Sequence, residues 1–146
     1  MNDTRRLFIA SFLKDSEKEI LKSVIEANED LIASYKTDAR LVGPLKWHLT
    51  WMFLGDCNKE LENQIIHLLE ETSKKCSSQQ IVYDKFSIWP SSKRPRVGVL
   101  ESSKPPVEFI LAVEQMQKKL TPMLLNPGEQ HAKFNPHITI ARFKNR

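Results

Sequence analysis

Two histidines in this chain each stand two residues before a threonine, inside an apolar run suited to a β-strand. The first lies in Lys46-Trp47-His48-Leu49-Thr50-Trp51-Met52-Phe53-Leu54-Gly55 and the second in Asn135-Pro136-His137-Ile138-Thr139-Ile140-Ala141-Arg142-Phe143. Side chains alternate faces along a strand, so each imidazole shares a face with a hydroxyl about 7 Å away. On the first strand Trp47, Leu49, Trp51 and Phe53 share the other face and are expected to be buried. Ile138 and Ile140 play that part on the second. Two imidazoles facing each other across a cleft can divide a reaction between them, one taking a proton from an attacking oxygen and the other giving one to a leaving oxygen. Their ordinary pKa near 6.5 makes both roles accessible at neutral pH. Phosphodiester hydrolysis needs such a pair. Thr50 and Thr139 would supply hydroxyl donors to the non-bridging oxygens, where negative charge is held in the transition state. The scheme calls for no metal and no cofactor.

One His-x-Thr is a weak pattern, and two among four histidines is a much more specific one. The remaining histidines, His67 within a helical pattern and His131 in a polar loop, read as structural and surface residues. Neither motif has Asp or Glu at metal-ligand spacing around its histidine, and no His-Glu-x-x-His, Walker loop, Gly-x-Gly-x-x-Gly or nucleophile elbow is present.

The elements around the motifs repeat as well. Arg6-Leu7-Phe8-Ile9-Ala10 precedes the first motif and Arg96-Val97-Gly98-Val99-Leu100 the second, with Arg-to-His offsets of 48 − 6 = 42 and 137 − 96 = 41. A helix-like amphipathic segment separates the members of each pair. The chain therefore reads as a duplicated strand–helix–strand unit, with halves at about residues 5–56 and 95–143 of a single domain, 1–146. A pseudo-twofold arrangement would bring both motif strands to one cleft.

In detail, Arg5 to Leu13 is expected as a strand. A helix follows from Asp15-Ser16-Glu17 to about Tyr35, and Lys36 to Leu45 is expected as a loop. Gly55-Asp56 should stop the first motif strand, and Asn58 should cap a helix with Leu61, Ile65, Leu68 and Leu69 as its apolar stripe. Gln80 to Trp89 and Arg96 to Glu101 are expected to pair as a hairpin across the basic turn Pro90–Pro95. Pro105-Pro106 should open a helix that buries Phe109, Ile110, Val113, Met116 and Leu120. Leu124 to Phe134, with Pro127-Gly128, is expected to be irregular.

The chain has 146 residues and a net charge of +4, enough for one substantial core. No apolar run is long enough to span a membrane, and the polar start has no signal-peptide core, so a cytoplasmic monomer without membrane contact is expected. Cys57 and Cys76 flank a helix whose length would hold them too far apart for a disulfide, so both are expected as free thiols. Lys93, Arg94 and Arg96, and Lys133, Arg142, Lys144 and Arg146, form basic clusters near the second motif. Such rims attract phosphates. Trp89 borders the basic loop, where a nucleobase can stack.

At Arg6–Ala10, Trp47–Asp56, Arg94–Val97 and Pro136–Arg142, in that order, the sequence resembles the two-histidine (2H) phosphoesterase superfamily. Within it the chain is similar to the LigT-like branch, the RNA 2',3'-cyclic phosphodiesterases also called 2'-5' RNA ligases. That resemblance implies a bilobal α+β fold, with two antiparallel sheets around a central groove and helices outside. It also implies hydrolysis of a 2',3'-cyclic phosphate, on an RNA 3' end or a cyclic nucleotide, to a 2'-phosphate. His48 and His137 become the acid–base pair, in either order, and Thr50 and Thr139 the phosphate ligands. Arg142, from the Pro-His-x-Thr-x-x-Arg text, becomes a substrate contact, and Phe8 joins Trp89 as a candidate for stacking a base. Simple strand parity would turn Arg142 away from His137 unless the strand bulges. The chain is shorter than the usual RNA-processing members, which favours a small cyclic nucleotide or short oligonucleotide. Two other activities fit the same motifs: a 2'-5' phosphodiesterase or ligase, separable by product analysis, and a non-catalytic nucleotide- or RNA-end-binding module.

Overall fold

The computed structural model describes residues 3–34, 39–127 and 133–144. Its elements follow the chain as strand β1 (Arg5–Phe12), helices α1 (Asp15–Ala27) and α2 (Glu29–Ala33), strands β2 (Ala39–Leu41) and β3 (His48–Cys57), helix α3 (Lys59–Ser73), strands β4 (Lys85–Pro90) and β5 (Pro95–Glu101), helix α4 (Val107–Leu120) and strand β6 (His137–Phe143). Short 3-10 turns at Pro44–Lys46 and Thr121–Met123 lead into β3 and out of α4. This is the α+β composition expected. The strands pair in the order β1-β3-β6-β5-β4, with β2 also on β6. The hydrogen-bonded path is continuous because β3 pairs antiparallel with β6 at Leu49↔Ile138.

The chain divides into two compact units, each drawing on three segments. One holds Met1–Ala10, Thr50–Gln80 and Pro105–Asn135, and the other Ser11–Leu49, Ile81–Lys104 and Pro136–Arg146. In the second, Leu21, Trp47, Tyr83, Phe86, Leu100, Ile138 and Ile140 form one buried cluster. Leu100 and Ile138 are fully buried there, and each such side chain contributes roughly 1.5–3 kcal/mol relative to exposure. In the first unit the buried positions of α3 are Leu61 and Ile65, and those of α4 are Val113, Met116 and Leu120, a helical spacing.

Local chemistry explains most boundaries. Asn58 caps α3 by accepting the Leu61 N–H at 2.8 Å, and Glu17 accepts the Lys14 N–H at 2.8 Å to start α1. Asn28 interrupts the helix expected to reach Tyr35: its side chain donates to the Val24 carbonyl at 2.8 Å, and the chain restarts as α2. The expected loop before the first motif contains β2, held on β6. The expected strand from Gln80 begins only at Lys85; just before it the Asp84 carboxylate accepts from the Ser103 N–H (2.8 Å) and hydroxyl (2.6 Å). Strand β3 runs through Gly55-Asp56 to Cys57, since Gly55 takes φ +70 and turns the chain without ending it.

The aromatic face expected along β3 is buried only in part. Trp47 and Leu49 are buried, but the buried parity then changes to Met52 and Leu54, and Phe53 is 72% exposed. Trp51 lies half-buried with its ring edge-on to Phe109 at 5.3 Å, and its carbonyl accepts the Gln117 side chain at 2.8 Å. The change falls where β3 passes from one unit to the other, so one strand serves two cores. Cys57 is a buried free thiol and Cys76 an exposed one; burial pushes the Cys57 thiol above its ordinary value, with Glu62 and Asp56 adding to the effect. No helix among the described residues is long and apolar enough to cross a membrane. Tyr35, Gly128, His131 and Arg146 lie outside the described residues.

Candidate active site

Strand β6 organises the second unit, and its register with β5 builds the site in rows. Glu101 pairs with His137, Leu100 with Ile138 and Val99 with Thr139; after a shift, Gly98 pairs with Ala141 and Val97 with Arg142. Ile140 is the extra residue of a β-bulge. Ile138, Ile140 and Ala141 are all buried, while His137 and Thr139 are half-buried and Arg142 is exposed. Val97, Val99 and Glu101 alternate along β5 on one face, so their partners Arg142, Thr139 and His137 share that face. The bulge thus cancels the parity that would have turned Arg142 away.

Gly98 stands at the register shift. A Cβ there would stand 3.1 Å from the Phe86 ring and 3.3 Å from the Ala141 Cβ, so any larger residue would crowd the doubled strand.

Strand β4 extends the rows: Lys85 pairs with Glu101, Ser87 with Val99 and Trp89 with Val97. Trp89 and His137 belong to rows on either side of Val99, yet their rings are 4.4 Å apart at 56°. The indole therefore reaches back across the middle row, and Val99 is fully buried. At the other end Lys85 lies 3.5 Å from Glu101, and the Glu101 carboxylate is on the strand directly beside His137.

His48 enters from β3. Antiparallel register about Leu49↔Ile138 sets His48 opposite Thr139. Its Nδ1 is 2.8 Å from the Lys46 carbonyl oxygen. A carbonyl only accepts, so Nδ1 carries the hydrogen and Nε2 is the acceptor of the neutral ring. Phe12, 64% exposed on β1, lies beside the imidazole with ring centroids 5.5 Å apart.

Of the residues picked from the sequence, His48, His137, Thr139, Arg142 and Trp89 fall in this one unit. Thr50, half-buried, follows Leu49 on β3 at the start of the other unit. Phe8 is in that unit too, 46% exposed, with its ring 6.1 Å from Phe53. His67, on α3, is exposed. Sequence reasoning missed Phe12, Glu101 and Arg40. Phe12 had a signal, since it follows Phe8 at strand parity; Glu101 and Arg40 reach the site only through cross-strand register.

The family model of LigT-like phosphoesterases matches residues 15–99, more than half of the chain, including the first motif. An RNA 2',3'-cyclic phosphodiesterase of Aquifex aeolicus is 31% identical over 143 residues, covering 96% of this chain and 71% of that protein. The chain belongs to the LigT-like phosphoesterase family. A second relative, an RNA 2',3'-cyclic phosphodiesterase of Bacillus subtilis, is 26% identical over 108 residues, covering 73% of this chain and 56% of that protein. The LigT-like fold is also seen in the likeness to E. coli LigT complexed with NADP+, at a TM-score of 0.68 and 23% identity over 96% of this chain and 73% of that one. E. coli LigT has also been solved with 3'-AMP. The family-model match ends before the second motif, which falls within the span of the Aquifex aeolicus alignment.

Proposed function

We propose that the chain is a metal-independent phosphodiesterase that opens 2',3'-cyclic phosphates, on RNA 3' ends or nucleotides, to 2'-phosphates. The observation that carries this reading is the common face of His137, Thr139 and Arg142, with His48 opposite Thr139 in the register. Two relatives named as RNA 2',3'-cyclic phosphodiesterases support the substrate class. The 3'-AMP complex of E. coli LigT supports a nucleotide ligand.

In this reading water attacks the phosphorus as one histidine takes its proton. The bond from phosphorus to the ribose 3' oxygen breaks while the other histidine protonates that oxygen. The products are a 2'-phosphate and a 3'-hydroxyl, and the two histidines have exchanged protonation states. For His48 the working atom is Nε2, because the Lys46 carbonyl holds Nδ1. Thr50 and Thr139 donate to the non-bridging oxygens, where charge accumulates, and Arg142 is a cationic contact for the substrate. Trp89, tilted against His137, offers a base its face; Phe8 is a second aromatic contact through its exposed ring. Residues 1–146 act together, with 5–56 and 95–143 as its two motif-bearing halves.

The test is turnover of a 2',3'-cyclic mononucleotide and of a short cyclic-phosphate-ended RNA in EDTA, with the product isomer identified. A 2'-phosphate is expected. A 3'-phosphate product would overturn the assignment of the leaving oxygen. Tight nucleotide binding with no turnover over hours would overturn the enzyme reading in favour of a binding module.

A further inference from the structure

Beyond the reacting phosphate, the row at the bulged end of β6 carries a pair of like charges. Arg40 on β2 is the direct cross-strand partner of Arg142, and Trp89 and Val97 continue the same row on the far side. Both arginines are exposed, and among the described residues no ion pair is recorded for either. Like charges directly opposite on a sheet repel. An anion between them removes the repulsion, and a guanidinium suits a phosphate oxygen pair in bidentate geometry. Arg142 stands three residues beyond Thr139, about 7–10 Å along the strand. That is far enough for a second phosphate to be held apart from the one facing the histidines.

We propose that Arg40 and Arg142 form a subsite for a second phosphate of the substrate. A 2',3'-cyclic phosphate occupies the 3' side of its ribose, so this second group is on the 5' side: an internucleotide phosphodiester or a 5'-phosphate. The proposal rests on the function above for its substrate class, but binding tests it separately. It makes Arg40 a specificity residue that favours oligonucleotides and 5'-phosphorylated nucleotides over a bare cyclic nucleoside phosphate.

The experiment measures affinity for uridine 2'-monophosphate, uridine 2',5'-bisphosphate and a dinucleotide ending in a 2'-phosphate, against wild type, Arg40→Ala and Arg40→Lys, at several salt concentrations. Wild type is expected to prefer the bisphosphate and the dinucleotide about tenfold. Arg40→Ala should lose that preference, Arg40→Lys should retain most of it, and the salt slope for the dinucleotide should fall by about 0.7 on loss of one phosphate contact. Preference for only one of the two-phosphate ligands identifies the source of the phosphate and supports the subsite. A wild type with no preference, or an Arg40→Ala protein that keeps it, overturns the proposal. So does an equal loss of affinity for all three ligands, which would put Arg40 on the shared 2'-phosphate. Turnover is a separate readout: if no cyclic phosphate is hydrolysed while the binding preference stands, the enzymatic reading fails and the subsite survives.

Discussion

Strands β3 and β6 carry the same His-x-Thr text in unlike settings. On β3 the histidine is fixed by the backbone: Lys46 O holds Nδ1 of His48 at 2.8 Å, and its aromatic neighbour Phe12 is 64% exposed. On β6 the histidine has the Trp89 ring at 4.4 Å and the Glu101 strand position beside it. The bulge at Ile140 then returns Arg142 to the same face. Equal sequence motifs therefore need not do equal work. In the function we propose, proton transfer is shared between the strands, while recognition of the substrate is concentrated around the second.

The largest effect expected treats the two strands alike. His48→Ala and His137→Ala should each lower kcat by about 10²–10⁴-fold, the range of general acid–base catalysis, with thermal stability little changed. A strong effect from only one of them would break the symmetry in proton transfer.

The aromatic neighbours sharpen the difference. Trp89→Ala should raise KM roughly tenfold, as expected from ~1–3 kcal/mol for a stacked base, whereas Phe12→Ala should have a smaller effect. The reverse order, read from steady-state kinetics on a cyclic nucleotide, would move base recognition to the first strand.

Glycines separate the strands in stability. Gly98→Ala places a Cβ against Phe86 and Ala141 and should cost about 1–3 kcal/mol through overpacking, with activity falling as Arg142 is displaced. Gly43, before β3, has nothing within 4 Å of such a Cβ, so Gly43→Ala should stay within about 0.5 kcal/mol. Denaturant unfolding of both variants tests this.

The smallest effect concerns the β4–β5 side that supports β6. Hydrogen bonds from the Ser103 hydroxyl and N–H, with a smaller contribution from Lys85, hold the Asp84 carboxyl below its ordinary value of 3.8. A depressed carboxyl contributes stability that is present above the unfolded value and is lost as pH falls through the folded one. Thermal melts should therefore show wild type losing part of its advantage over Ser103→Ala below about pH 4. A difference between the two that is constant with pH would contradict the link.

What could be read from the sequence was what lies within one strand. Alternation alone placed His137 and Thr139 together opposite Ile138, and the Asn58 cap and the α4 stripe follow from local rules. Cross-strand facts were out of reach. The partners of Glu101 and Arg40 depend on register between strands distant in sequence. The bulge leaves no mark in Ile138-Thr139-Ile140-Ala141, whose residues suit a regular strand equally well. Phe53 misled for a related reason: parity is reliable only while a strand serves one core, and β3 serves two.

The most direct test of shared proton transfer is the pH dependence of kcat/KM from pH 5 to 9 in EDTA, on a 2',3'-cyclic mononucleotide, for wild type, His48→Ala and His137→Ala. The account predicts a bell for wild type and loss of one limb in the residual activity of each single mutant, a different limb for each. A bell that persists in either mutant would contradict it.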